Sequence, residues 1–164
     1  MAPEATITDL EQLKERPEVA RLAQKPGMLQ SAKLDRDELI VWVPAAALVE
    51  AVTILRDSVE TQFNFLSDIT CIDWYPSEPR FEVVYHLLSH ARKARVRVKV
   101  KLDVEDANVD SLTQLWAGAD FFEREIYDLF GVRFQGHPNM TRIMMPENWE
   151  GHPLRKDYPV EGYR

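Results

Sequence analysis

Hydrophobic and charged residues alternate along residues 94–102, where each valine or leucine follows an arginine or lysine. This period of two predicts a β-strand with one buried face and one polar face. Two further strand-like runs, at about 65–75 and 80–88, precede it, and short turns separate the three runs. Because short turns join antiparallel neighbours, we expect these runs to form an antiparallel meander.

The N-terminal segment, residues 1–30, has a helical pattern. Thr8 and Glu11 have the spacing of a capping box, in which a hydroxyl and a carboxylate satisfy backbone N–H groups where a helix begins. We expect Pro17 to interrupt or restart this helix and Gly27 to end it.

A hairpin and a second helix are predicted between this segment and the meander. Residues 28–34 and 38–43 form the arms of the hairpin, and the Asp-Arg-Asp sequence at 35–37 forms its turn. Pro44 suits the first position of a helix, and the residues that follow it carry one apolar stripe.

A last helical pattern covers residues 111–130, and Gly118 is a point at which it can break. We expect Gly131 to end this helix, because glycine readily adopts the left-handed conformation of a helix C-cap. Helices and antiparallel strands in this order predict an α+β fold. The predicted domain covers residues 1–130 and has two layers, a mostly antiparallel sheet packed by helices.

The remaining residues, 131–164, are predicted to form an extended, irregular tail that binds a partner. Four of the ten prolines and four of the six glycines lie here, which disfavours a long helix or a central strand. The same residues are too apolar for a disordered linker. Their large apolar side chains are Phe134, Met140, Ile143, Met144, Met145, Trp149, Leu154 and Tyr158.

Composition narrows the classes of function. The chain has a net charge of −7, and residues 1–130 carry 15 basic and 23 acidic side chains. A nucleic-acid-binding domain needs a basic face, so this composition does not indicate nucleic-acid binding. Cys71 is the single cysteine, so the chain can form no internal disulfide and no cysteine-held iron–sulfur or zinc site. Its apolar neighbours indicate a packed strand residue. A lone thiol is typical of the cytoplasm, and the polar start has no signal-peptide pattern.

The four histidines are the main candidates for metal binding. His86 and His90 lie at the end of a strand-like run, where four residues span roughly 13 Å. His137 and His152 lie in matching Gly-His-Pro turns without a neighbouring cysteine. Hydrogen bonding to the backbone is the favoured role for both turn histidines. No pattern of a phosphate-binding loop or a nucleophilic serine is present.

Charges on the last helix have two interpretations. Arg124 and Asp128 are four residues apart and can pair along the helix, whereas Glu123 and Glu125 point in different directions. These charges face either solvent or an arginine of a neighbouring protein. The basic run over residues 92–101 is likewise either a solvated face, which is favoured, or a docking surface for an acidic partner.

The sequence from Glu123 to Val132, Glu-Arg-Glu-Ile-Tyr-Asp-Leu-Phe-Gly-Val, resembles the C subunit of the proton-pumping NADH:quinone oxidoreductase, respiratory complex I. The similarity continues through Gly-His-Pro at 136–138, Arg-Ile-Met at 142–144 and the sequence from 149 to 159. Residues 81–87 and 95–99 also resemble the sheet of this family. The resemblance covers about residues 60–160.

This resemblance implies a non-catalytic structural subunit of the hydrophilic arm, peripheral on the cytoplasmic side of the bacterial inner membrane. It implies that the chain itself binds no cofactor and no metal and carries no catalytic residue, while FMN, the iron–sulfur clusters and the quinone are held by other subunits. The hydrogenase-like D subunit is the implied main partner, with the B and I subunits nearby. The chain resembles the stand-alone bacterial form of the C subunit rather than the form in which the C and D subunits are fused.

The residues expected at the partner interface lie on the last helix and the tail. They are Arg124, Glu125, Tyr127, Asp128, His137, Arg142, Trp149, His152, Arg155, Lys156, Asp157 and Tyr158. Alternatives are a subunit of a related membrane-bound hydrogenase or of an F420- or ferredoxin-linked dehydrogenase. A free-standing metal-dependent enzyme that uses the turn histidines is a more distant alternative.

Overall fold

The structure, a computed structural model, describes residues 6–161. Residues 1–5 of the predicted N-terminal segment and 162–164 of the tail therefore lie outside the described residues. The helices are α1 (Leu10–Leu13), α2 (Pro17–Ala23), α3 (Leu48–Asp57, preceded by a 3₁₀ turn at Ala45–Ala47) and α4 (Ala119–Phe130). The strands are β1 (Ser31–Asp35), β2 (Glu38–Trp42), β3 (Phe65–Asp73), β4 (Phe81–Ser89), β5 (Ala94–Leu102), β6 (Asn108–Asp110) and β7 (Arg133–Gln135).

Five strands form one sheet in the order β1-β2-β5-β4-β3. The predicted hairpin β1–β2 and the predicted meander β3–β4–β5 are both confirmed as antiparallel pairs. The pairing of β2 with β5 was not predicted; the two strands are parallel, and they join the hairpin to the meander. Strands β6 and β7 form a small parallel pair beside the main sheet. The α+β class with a mostly antiparallel sheet is confirmed.

The two faces of the main sheet differ in composition. On the core face, Val96, Val98 and Val100 of β5 lie opposite Leu87, Tyr85 and Val83 of β4, and all are buried. These residues belong to one apolar cluster with side chains of α2, α3 and α4. The opposite face carries the arginines and lysines of β5, so the alternation in the sequence corresponds to burial on one side. We call this second surface the open sheet face.

Three local predictions need correction. Asp9, not Thr8, caps α1, because its carboxylate accepts a hydrogen bond from the backbone N–H of Glu11. Helix α2 ends at Ala23 rather than at Gly27. The last helix begins at Ala119 rather than near residue 111, because residues 108–110 pair as a strand and irregular turns follow.

Two glycine and proline predictions are confirmed. Pro17 is the first residue of α2, so it restarts the helix after α1. Gly131 ends α4 with φ 77°, the left-handed conformation, and its N–H donates to the carbonyl of Tyr127.

Candidate functional site

The tail, residues 131–161 of the described chain, contains only the short strand β7 and otherwise has turns and irregular backbone. It lies against the C-terminal end of α4 and the adjoining ends of β3 and β4. This placement follows from hydrogen bonds that join the tail to residues far back in the chain. Their geometry shows which tail residues act within the chain and which remain exposed.

The tail satisfies the carbonyl groups that α4 leaves free at its C-terminal end. His152 Nδ1 donates to the carbonyl of Asp128 over 2.9 Å, and the N–H of Leu154 donates to the carbonyl of Leu129 over 3.0 Å. Arg155 Nε donates to the carbonyl of Phe130 over 2.5 Å. The last carbonyls of a helix have no partners within it and carry partial negative charge. A donor from the tail therefore replaces water at each of these three carbonyls.

Asp128 is the central residue of this contact. Its side chain is fully buried, and one carboxylate oxygen accepts the backbone N–H groups of Ile143, Met144 and Met145 at 3.0, 2.7 and 2.8 Å. The other oxygen accepts from Arg142 Nη1 at 2.5 Å. Three successive N–H groups directed at one carboxylate form a concave anion-binding turn. The tail is folded around this side chain.

The charge state of Asp128 follows from these donors. Burial by itself raises the pKa of a carboxyl group, but the N–H of Met145, the guanidinium of Arg142 and the neighbouring N–H groups together lower the pKa of Asp128 below its ordinary value. The predicted pairing of Arg124 with Asp128 along the helix is wrong. Arg124 instead lies 3.7 Å from Asp120 and donates to the carbonyl of Thr141.

A second contact holds the end of the tail to the sheet. The guanidinium of Arg80 lies between Asp73 and Asp157, with N–O distances of 2.9 and 2.6 Å, and the backbone N–H of Lys156 donates to Asp73. Burial raises the pKa of the Asp73 carboxyl, but its bonds to Arg80, to Lys156 and to the N–H of Tyr75 outweigh that effect and lower the pKa to about 2. We call Asp128 and its donors the helix-end anchor, and Asp73, Arg80 and Asp157 the sheet anchor.

The two turn histidines bond to the backbone, as the sequence predicted. The N–H of Asn139 donates to Nδ1 of His137 over 3.0 Å, and Nε2 of the same ring lies 3.3 Å from the carbonyl of Asp120. His152 uses Nδ1 as a donor, and burial lowers its pKa, which favours the neutral ring. Both ring nitrogens of His137 are therefore occupied. In the part of the chain that the structure describes, no group of three or more His, Cys, Asp or Glu is placed to hold a metal.

Gly131 is required both for its backbone conformation and for space. A Cβ atom at this position would lie 2.5 Å from Nε2 of His152 and 2.5 Å from a guanidinium nitrogen of Arg155. The sequence predicted only the helix cap. The structure shows that the tail packs directly against this glycine.

The outer surface of the tail keeps several large apolar side chains exposed. The exposed fractions are 58% for Met144, 39% for Trp149 and 52% for Leu154, and Ile143 is exposed to a similar degree. The helix-end anchor fixes the backbone of Ile143 and Met144, and the N–H groups of Trp149 and Leu154 donate to the carbonyls of Pro146 and Leu129. These side chains therefore stand on a hydrogen-bonded segment. We call these four residues the apolar tail patch. Such a surface is typical of a protein–protein contact.

The predicted interface residues thus divide into two groups. Asp128, Arg142, His152, Arg155 and Asp157 make bonds within the chain, which join the tail to α4 and to Arg80. Among the others, Trp149, Glu125 and Lys156 are exposed and Tyr127 is half-buried. The Tyr158 hydroxyl donates to the carbonyl of Glu150.

Glu123 is the main residue that the sequence misplaced. It is fully buried rather than facing solvent or a partner, and its carboxyl group bonds Ser111 Oγ at 2.6 Å and the N–H of Leu112 at 2.7 Å. Burial raises the pKa of Glu123 to about 7, although both hydrogen bonds oppose the shift. This side chain ties the irregular segment before α4 to the helix itself.

Cys71 is buried as predicted, and burial raises its pKa to about 12, so its thiol is protonated.

Comparison with known proteins identifies the family. The family described as "Respiratory-chain NADH dehydrogenase, 30 Kd subunit" matches residues 41–164, which is most of the chain and begins upstream of the resemblance seen in the sequence. The chain belongs to this family. Its match includes α4, both tail anchors and the apolar tail patch.

Several relatives are similar over most of their length. The C subunit of the NADH-quinone oxidoreductase of Roseiflexus sp. (strain RS-1) is 48% identical over 140 residues, covering 85% of this chain and 80% of the relative. The protein of the same name from Citrifermentans bemidjiense is 49% identical over 127 residues, covering 77% and 78%.

Two solved structures are also similar. The trypsin-resistant fragment (1-134) of Nqo5 is 35% identical with a TM-score of 0.53, and the match covers 62% of this chain and 82% of the fragment. A chain of the membrane-bound sulfane sulfur reductase, an archaeal respiratory membrane complex, is 28% identical with a TM-score of 0.72 over 87% of this chain and 84% of that one. Among residues 6–161, no helix is long and apolar enough to cross a membrane.

Proposed function

We propose that the chain is a non-catalytic structural subunit of the hydrophilic arm of a proton-translocating NADH:quinone oxidoreductase, where it braces the quinone module through contacts with the D subunit. The B and I subunits lie nearby in this proposal, and FMN, the iron–sulfur clusters and quinone are bound by other subunits. The chain is peripheral, on the cytoplasmic side of the bacterial inner membrane. Family membership and the names of the relatives support the choice of complex.

The observation that carries the proposal is the apolar tail patch on an anchored backbone. A segment ordered before binding loses less conformational entropy when a partner covers it, so more of its apolar contact contributes to affinity. Trp149 and Leu154 are large enough to act as interface anchors, and tryptophan is enriched among residues that dominate binding energy. These contacts support a docking role for the tail, with Arg142 and Asp157 holding it in shape.

The test is assembly of the native complex with the double substitution Trp149→Ala/Leu154→Ala. Complete burial of a large apolar side chain contributes about 1.5–3 kcal/mol, and docking can bury only the exposed half of each, so loss of both should weaken docking about 10- to 100-fold. We expect little of this variant to co-purify with the other subunits and NADH:quinone activity to fall with it. Val59→Ala is the control, because Val59 is 77% exposed and lies outside the tail.

The isolated variant should keep its fold, because neither side chain belongs to the core cluster. Truncation after Gly131 is a harsher variant and should prevent assembly of the arm. It also removes the donors that satisfy the end of α4, so it is interpreted together with the point variants. An active complex that contains the double variant in normal amount contradicts the proposal.

A second function is favoured by one observation, the structural match to a chain of the sulfane sulfur reductase complex. A related membrane-bound complex with another electron donor, such as a hydrogenase or an F420- or ferredoxin-linked dehydrogenase, would use the same fold. Identification of the subunits that co-purify with the chain separates the two. A flavoprotein that oxidises NADH among them supports the first function, whereas its replacement by a different donor module supports the second.

A further inference from the structure

The open sheet face contains a groove that the tail and α4 do not reach. The tail and α4 pack beside the core-face cluster, whereas the groove is lined by open-face residues of β1, β2, β4 and β5 and by the β3–β4 loop, which contributes Trp74 and one acid, Glu78. It has a volume of 430 Å³. Ten residues line it, and they include Lys33, Ile40, Trp42, Trp74, Glu82 and Lys101. Its surface is therefore separate from the apolar tail patch.

The floor of the groove is a fixed polar cluster. Glu82 is buried, and its two carboxylate oxygens accept from Trp42 Nε1 and from Lys99 Nζ, each at 2.8 Å. The Lys99 ammonium also lies 5.4 Å from the centre of the Trp42 ring, within the range of a cation–π contact. These contacts join all three side chains to one another. The floor is thus rigid and close to neutral.

The walls and ends of the groove are different. Trp74 forms one wall and is 47% exposed, an apolar surface that nothing in the described chain covers. Lys101 lies at the rim and Arg95 lies farther along the same strand, both exposed. In contrast to Lys99 and Arg97, which pair with glutamates, neither makes an ion pair with another described residue. These two cations stand on a protein whose net charge is −7.

Spacing along β5 indicates the shape of a matching ligand. Arg95 and Lys101 are on the same face of one strand and six residues apart, which corresponds to about 20 Å. An extended polypeptide of similar length can follow the strand with carboxylates near both ends. A folded acidic surface would need to enter the groove to reach Trp74, whereas an extended segment can place one apolar side chain there.

We propose that the open sheet face binds an extended acidic segment of a neighbouring polypeptide, with its carboxylates at Arg95 and Lys101 and an apolar side chain against Trp74. The inference rests only on the coarser part of the proposed function, that the chain works among other subunits. It does not depend on the tail or on which subunit the tail contacts.

The test is photo-crosslinking in the complex purified from cells that carry the benzophenone amino acid p-benzoylphenylalanine in place of Trp74. We expect a cross-link to another polypeptide, within a segment rich in aspartate and glutamate. In the same strain, Arg95→Glu/Lys101→Glu should lower the cross-link yield about tenfold, since reversed rim charges slow association and repel the partner. Replacing the cross-linked acids of that segment by lysine should restore the yield.

The control variant Lys14→Glu/Lys25→Glu reverses two exposed charges outside both this face and the tail and should leave the yield unchanged. A cross-link to lipid, to a nucleic acid or to a segment without acids overturns the inference, as does an equal loss of yield in the control. Absence of any cross-link in a complex that still contains its other subunits also overturns it. If the chain purifies without partners, the proposed function fails instead.

Discussion

Replacing Gly131 by alanine tests whether the tail depends on close packing against the end of α4. Alanine at this position meets two obstacles, the left-handed backbone with φ +77° and the contact of 2.5 Å with His152 and Arg155. Gly136 provides a matched control, because it has the same φ of +77° and no atom within 4 Å of an added Cβ. The difference between Gly131→Ala and Gly136→Ala therefore isolates the contact with the tail.

The magnitude follows from the bonds that the new methyl group displaces. The left-handed backbone costs a non-glycine residue about 1–2 kcal/mol in either variant, and this cost cancels in the comparison. The His152 ring cannot move without weakening its bond to the carbonyl of Asp128, and Arg155 is held by the carbonyl of Phe130. A neutral hydrogen bond contributes about 1 kcal/mol and a charged one about 1.5–3 kcal/mol, so the extra cost is about 2–3 kcal/mol.

Hydrogen exchange at the amide of Leu154 measures this cost, because that N–H bonds to the carbonyl of Leu129. We expect exchange to be roughly 30- to 150-fold faster in Gly131→Ala than in Gly136→Ala. Amides of β4 should exchange alike in both variants. Equal exchange at Leu154 in the two variants would refute the argument that the tail packs on this glycine.

Three further predictions concern buried carboxyl groups. Burial raises the pKa of Glu123 to about 7 from an ordinary 4.5, so the folded chain retains a proton that the unfolded chain releases, and stability falls as pH rises between these values. Glu123→Gln should remove this fall, which amounts to about 3 kcal/mol of unfolding free energy. Urea unfolding of the wild type and of the variant at pH 5 and pH 8 measures it. If the two proteins differ in stability by the same amount at both pH values, the prediction is contradicted. Asp73 has the opposite sign, because its pKa is lowered to about 2 from 3.8. Asp73→Asn should cost about 2 kcal/mol at neutral pH, and the cost should shrink as pH falls from about 4 towards 2 in the same assay. Asp128→Asn should loosen residues 142–145, with trypsin cleavage after Arg142 about tenfold faster, and unchanged cleavage there would show that the carboxylate does not hold the tail.

Much of the fold is predictable from the sequence, for local physical reasons. The strand β5 is recognisable because its buried and exposed sides alternate residue by residue, and the hairpin and meander follow from short turns. Gly131 is recognisable as a cap because few other residues adopt its backbone conformation. The start of α4 was misplaced because residues 111–118 have a helical pattern but are held by Glu123 and by pairing of the adjacent strand β6.

The candidate site was predicted less completely. The sequence indicated that the tail is apolar, irregular and suited to a partner, and the apolar tail patch agrees with that description. Its charged residues gave no sign of their partners, because Asp128 meets Arg142, and Asp73 meets the tail beyond residue 155, only after the chain has folded. A carboxylate within an amphipathic helix looks the same in sequence whether it faces solvent or a buried turn.

The sequence by itself determined the order of the five main strands, the position of the last helix cap, and the family. These features depend on residues that are near one another in the chain, or on a motif read as a string. Only the tertiary structure decided that β2 lies parallel to β5, that Glu123 is buried and that Asp128 holds the tail. Each of these depends on contacts between distant residues, and such contacts form because buried backbone N–H and carbonyl groups, once removed from water, require a partner.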